Sequence, residues 1–216
     1  MSARYDCADA SQRVAGITAA TDAARHGELV VLPTDTVYGI GADAFTPAAV
    51  TALLNAKGRP RDKPSAVLVG TVRAASALVE DFGSFGKDLI DEFWPGGLTL
   101  VCLASRTLSW DLGETKGTVA VRMPMHPVAL DLLKQTGPLA VSSANLSGSP
   151  AAVTADAAAE QFGEVVSVYL DGGPCADNVP STIVDLTGGI PRLLRVGAVS
   201  VDRLREVVAL VADSSA

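Results

Sequence analysis

The strongest constraint on the fold is an alternation. Eight short apolar runs, at residues 28–32, 65–69, 98–103, 119–122, 139–142, 165–170, 182–186 and 193–196, recur along the chain. They are too short for helices and too rich in Val, Leu and Ile for loops, so they read as strands. Helical patterns fall between several of them, at about 12–26, 48–57, 71–80, 84–93, 126–135, 154–161 and 200–211. Strands interleaved with helices predict an α/β architecture, helices layered on a mixed sheet. Leu29-Val30-Val31-Leu32 shows no polar alternation and is closed by Pro33, which predicts a strand covered on both faces. Val14, Ile17 and Ala20 mark the apolar side of the first helix, which stops at Arg25-His26-Gly27. Thr46 as N-cap, Pro47 in the first turn and Gly58 at the stop punctuate the second. Residues 113–117, with a glycine at each end, predict a turn between neighbouring strands, so the sheet should not be wholly parallel.

Composition narrows the function classes. With 48% hydrophobic and 19% charged residues among 216, the chain can bury a large core, and one domain over 10–211 is expected, with 1–9 a lead-in, 212–216 a frayed tail and no separate C-terminal domain. A net charge of −7 opposes broad adhesion to nucleic acid, which needs an excess of Lys and Arg. Cys7, Cys102 and Cys175 are odd in number and far apart, which suggests neither a disulfide framework nor a metal site. The N-terminus lacks a signal-peptide pattern and no apolar run reaches the ~18 residues that span a bilayer, so a cytoplasmic location is expected.

Three segments carry chemistry. In 33–41, small hydroxyls and glycines follow directly on a buried strand, where α/β sheets place ligands. Gly39-Ile40-Gly41 here matches only weakly the glycine pattern of a dinucleotide fold, because no strand runs straight into it; a tight loop is the plainer reading. Lys57, Arg59, Arg61 and Lys63 put four cations in seven positions of an otherwise acidic chain, stiffened by Pro60 and Pro64. Such a loop suits a polyphosphate, although a solvated turn is the alternative. No P-loop pattern is present. Residues 139–148 end an apolar strand in Ser142-Ser143-Ala144-Asn145, uncharged hydrogen-bonding groups suited to phosphate or carboxylate oxygens; nucleophilic-serine chemistry lacks its sequence pattern and an obvious base. Arg122 and Arg195 sit at strand ends, and Arg122 is the better candidate for gripping a carboxylate. Phe93-Trp94-Pro95-Gly96-Gly97 reads as a packed structural turn.

Taken in order, 33–41, the Lys57-x-Arg59 loop through Lys63-Pro64, 93–99, Val121-Arg122-Met123-Pro124, 142–148 and Ser181-Thr182-Ile183-Val184-Asp185 resemble the YrdC/Sua5 family over nearly the whole chain. The resemblance implies the YrdC-like (DHBP synthase-like) fold, a single α/β domain whose twisted mixed sheet is flanked by helices around a positively lined cleft. It implies condensation of L-threonine, bicarbonate and ATP into threonylcarbamoyl-AMP with release of pyrophosphate. Mg2+ would accompany the ATP, and a separate transferase complex would pass the group to adenosine 37 of tRNAs that read ANN codons. By the same resemblance Lys57 and Arg59 would be catalytic. ATP would be held by these two with Arg61, Thr118, Ser143, Ala144, Asn145, Ala152 and Arg195. Thr34, Arg122, Ser142 and Ser181 would bind threonine, and no protein group is assigned to a metal. The chain departs from the family's usual pattern in carrying a charge at Arg61 and a small polar residue at Ser65. Two alternatives stand beside this reading: a non-catalytic RNA-binding module, and a related enzyme using another carbamoyl source.

Overall fold

The computed structural model describes residues 2–175 and 178–212. Eleven strands form one mixed sheet: β1 Ala3–Asp6, β2 Leu29–Leu32, β3 Gly39–Asp43, β4 Ala66–Leu68, β5 Leu98–Leu103, β6 Thr118–Arg122, β7 Leu139–Ser143, β8 Val166–Asp171, β9 Thr182–Asp185, β10 Arg192–Arg195 and β11 Val211–Ala212. Their order across the sheet is β1-β8-β2-β3-β7-β4-β6-β5-β9-β10-β11. The helices are α1 Ala10–Arg25, α2 Pro47–Lys57, α3 Val72–Ser76, α4 Gly83–Phe93, α5 Pro127–Thr136, α6 Ala155–Phe162 and α7 Val201–Val207. No helix among the described residues is long and apolar enough to cross a membrane. All three cysteines are free thiols.

The unbroken apolar run of β2 explains the layering. Val30 and Leu32 point to a cluster beneath α1 and α5, while Leu29 and Val31 enter the larger core beneath α2, α4, α6 and α7. A strand serving two cores has no face left for polar residues. Each such side chain contributes roughly 1.5–3 kcal/mol relative to exposure. β2 pairs parallel with β8 and antiparallel with β3, and β5 pairs antiparallel with β6, so the expected mixed sheet is present.

Several expectations change in detail. Residues 39–41 are neither a dinucleotide loop nor a tight turn but the start of β3, which lies antiparallel between β2 and β7. Its glycines answer a packing demand: a methyl on Gly39 would lie 2.6 Å from Val141 Cγ1, and one on Gly41 3.1 Å from Val141 Cγ2. Thr46 precedes α2 but makes no side-chain cap, because its hydroxyl donates to Asp43 Oδ2 at 2.7 Å. Val14 is exposed, so α1 packs through Ile17, Ala20 and Ala24 instead. The lead-in contains a strand, β1, which adds to the edge of the sheet alongside β8. The last helix ends at Val207, where the chain turns extended and supplies β11 beside β10. Of the expected tail, 213–216 lie outside the described residues.

Candidate active site

The cluster beneath α1 and α5 draws on no described residue of β5, β6 or β9. That part of the sheet face is instead the floor of a cleft of about 370 Å3. Strand alternation places Gly39, Ala66 and Ala120 on this floor, while their neighbours Ile40, Val67 and Val121 enter the main core. Small side chains facing one way and large ones facing the other leave space without loosening the sheet.

Cations converge on the rim. Gly58, in the left-handed conformation at φ 59°, ends α2 and releases the loop that carries Arg59. Arg59 Nε donates to the Lys63 carbonyl at 2.5 Å, Nη2 to the Pro64 carbonyl at 3.3 Å and Nη1 to Ser142 Oγ at 3.4 Å. Arg195, at the end of β10, donates through Nε and Nη2 to the Ser181 carbonyl at 3.0 and 2.7 Å, and its Nη2 also reaches Ser181 Oγ. Burial lowers the pKa of both arginines, and repulsion from Arg122 and Arg59 adds to the shift on Arg195. The three guanidiniums therefore share one field.

Lys57 closes α2 just behind this rim and is only 2% exposed. Its ammonium donates to the carbonyls of Ser143 and, at 2.5 Å, Asn145. Burial, then the nearby charge of Arg59, pushes its pKa down to about 8. Among the described residues none of Lys57, Arg59 and Arg195 has a carboxylate partner. Buried cations held only by neutral oxygens are arranged to receive an anion.

Arg122 differs. It is 6% exposed and already engaged: Nη2 pairs with Asp35 Oδ1 at 2.7 Å, Nη1 donates to Thr36 Oγ1 at 2.9 Å, and Nε to the Gly96 carbonyl at 2.8 Å. The Met125 amide also donates to Asp35 Oδ1, at 2.8 Å. Arg122, expected to grip a carboxylate, is thus a charge-balanced fork that already holds one of the protein's own and has two N–H groups remaining. Thr34 Oγ1 donates to the Val37 carbonyl at 2.6 Å, and the hydroxyls of Thr99 and Ser181 lie 2.8 Å apart.

Of the residues expected in the site, Thr34, Arg59, Arg122, Ser142, Ser143, Asn145, Ser181 and Arg195 line the cleft together. Others lie apart. Arg61, expected on phosphate, turns to Asp111 at 2.5 Å. Thr118 spends its hydroxyl on the Thr115 carbonyl at 2.8 Å. Ala144 and Ala152 are buried behind the wall, where the Ala144 amide donates to the Tyr38 carbonyl and the Ala152 amide to the Ala144 carbonyl. Asp35, Thr36, Ser65 and Thr99 were missed. Thr99 lies two residues beyond the 93–97 segment assigned to structure alone, and the carbonyl of Gly96 in that segment accepts from Arg122; the signal lay in a hydroxyl near the start of an apolar strand.

A mixed-sheet α/β protein with an arginine-lined cleft, its hydroxyls and spare guanidinium donors suited to receive oxyanions, is the class these features define. The family model Sua5/YciO/YrdC, described as "Telomere recombination", matches residues 22–197. The chain belongs to that family. A Mycobacterium tuberculosis protein provisionally named threonylcarbamoyl-AMP synthase is 54% identical over 99% of both chains. The Bacillus subtilis threonylcarbamoyl-AMP synthase is 38% identical, over 85% of this chain and 54% of its own. P. abyssi Sua5 complexed with L-threonine superposes with a TM-score of 0.88 at 34% identity, over 97% of this chain; the chain spans 62% of that protein.

Proposed function

We propose that this chain is an L-threonylcarbamoyladenylate synthase. The observation that carries the proposal is the cationic cleft. Three guanidiniums, Arg59, Arg122 and Arg195, line it beside a row of uncharged hydroxyls, with one carboxylate, Asp35, held on Arg122 and a fourth cation, Lys57, buried behind the wall on the Ser143 carbonyl. Relatives named for the activity, one of them solved with L-threonine, support it.

The amine of threonine condenses with bicarbonate, with loss of water, to a carbamate. A carbamate oxygen then attacks the α-phosphorus of ATP, the P–O bond to the β-phosphate breaks, and pyrophosphate leaves with that electron pair. No covalent enzyme intermediate is needed. The protein must hold two anions against their repulsion and stabilise charge on the leaving group, which is a task of positioning and electrostatics. In this reading Lys57 and Arg59 face the phosphates, while Arg195 with Ser143 and Asn145 holds the nucleotide. Arg122, Thr34, Ser142 and Ser181 take threonine. Among the described residues no three His, Cys, Asp or Glu gather into a metal site. Magnesium would accompany the ATP and help to neutralise its phosphates, and no protein group is assigned to hold it. The product is a mixed anhydride, which would be passed to a transferase complex acting on adenosine 37 of tRNA.

The test is pyrophosphate release from ATP with threonine and bicarbonate each omitted in turn. Release that requires both is expected; release indifferent to threonine overturns the assignment.

A further inference from the structure

Four buried side-chain polar atoms have no hydrogen-bond partner among the described residues: Thr21 Oγ1, Ser65 Oγ, His126 Nδ1 and Asn145 Oδ1. An unpaired buried polar atom is costly, and native folds tolerate few unless a ligand completes them. Only Ser65 and Asn145 of the four line the cleft. Asn145 already has a role in the proposed function; Ser65 has none.

Ser65 is 4% exposed and stands one residue before β4. The antiparallel register of β4 with β7 runs Leu68 to Leu139, Val67 to Ala140 and Ala66 to Val141, so one further step sets Ser65 opposite Ser142. Both neighbours are bound by Arg59. Its Nη2 donates to the carbonyl of Pro64, the residue before Ser65, and its Nη1 to Ser142 Oγ. Ser65 is therefore bracketed by the guanidinium that the anion would meet. Each terminal nitrogen of Arg59 keeps one N–H beyond these bonds.

We propose that the Ser65 hydroxyl donates a hydrogen bond to the substrate oxyanion that Arg59 grips, making it a further binding residue of the site. The proposal deepens the function given above and rests on it. The shared chemistry is an oxygen anion on phosphorus or carbon, either a phosphate oxygen of ATP or an oxygen of bicarbonate and the carbamate formed from it. A hydroxyl beside a guanidinium fits either one and gives the anion a donor whose direction the strand backbone fixes.

Ser65→Ala removes one oxygen that makes no bond inside the protein, so its melting temperature should match or exceed that of the parent. Its KM for one oxyanion substrate should rise three- to tenfold, with the threonine KM unchanged. A rise for ATP assigns the bond to phosphate, and a rise for bicarbonate assigns it to the carbon oxyanion; either supports the proposal. ATP and bicarbonate KM values and kcat all within twofold of the parent overturn it. If the parent itself shows no threonine-dependent turnover, the function fails separately. Calorimetric binding of ATP and NMR line broadening of 13C-bicarbonate, which need no turnover, then decide Ser65 by the same criterion.

Discussion

A guanidinium that already holds a carboxylate behaves differently from a bare one. Asp35 offsets much of the charge of Arg122, although Arg195 still feels it, and the value of Arg122 to a ligand lies in two fixed N–H directions. Arg122→Ala should raise the threonine KM at least tenfold, about 1.4 kcal/mol. It should also destabilise the fold by about 3 kcal/mol, because Asp35 is left buried without its counter-charge. Steady-state kinetics and denaturant melts check the two effects; an unchanged threonine KM removes Arg122 from the site. Lys57 gives a pH signature. Its pKa of about 8 lies below its ordinary 10.5, so protonation is disfavoured in the free protein, and Lys57 makes the unliganded fold more stable as pH rises between these values. A bound triphosphate reverses that preference, so ATP binding should take up about half a proton at pH 8 and weaken as pH rises further. Calorimetry in buffers of different ionisation enthalpy measures the uptake, and Lys57→Met should abolish it. At this scale the sequence was informative about residue type and silent about partners. Lys57 and Arg122 stood out as cations, but Asp35 lay in a loop whose approach to Arg122 depends on the crossing of distant strands, and Ser65 carried no motif.

Among the elements, β3 shows how a local pattern misleads. A glycine at every second position reads as backbone freedom, yet here the pair makes room for Val141 of the neighbouring strand. Gly39→Ala should cost about 1–3 kcal/mol by overpacking, and Gly41→Ala, with its longer approach, less. Val141→Ala should recover most of the Gly39→Ala loss in a double-mutant cycle measured by urea denaturation. No recovery would mean that the glycine serves backbone conformation instead. A strand with an unbroken apolar run, such as β2, was legible because burial on both faces leaves no other composition. β1 was missed because its exposed and half-buried side chains alternate weakly at the sheet edge, and its pairing with β8 spans most of the chain. The C-terminal helix was drawn too long because Val207 and Val208 continue an apolar period while the backbone turns extended.

For the molecule as a whole, the net charge of −7 and the cationic cleft act on different ligands. In the proposed function ATP would meet several uncompensated cations, whereas threonine would meet the balanced Arg122–Asp35 pair. Raising salt from about 50 to about 500 mM should therefore weaken ATP on the order of tenfold and threonine less than about threefold. KM values measured across that range check the contrast, and equal sensitivity would contradict it. The α/β class was legible from alternation alone, but the strand order was not: β7 enters between β3 and β4, which are consecutive in the chain, and hydrophobic period says nothing about such insertions. The cleft floor depends on that order, since β4 sets Ala66 beside Ala120 of β6, and β7 stands between them and Gly39 of β3. Because Ala66 and Ala120 sit on adjacent strands anchored from behind in the main core, the depth of the cleft can change there without disturbing the cations above, whereas Gly39 is held small by Val141. The size of the guest and the grip on its charge are thus separately heritable, and single-codon changes at two positions are enough for related chains to drift in what they admit while keeping how they hold it.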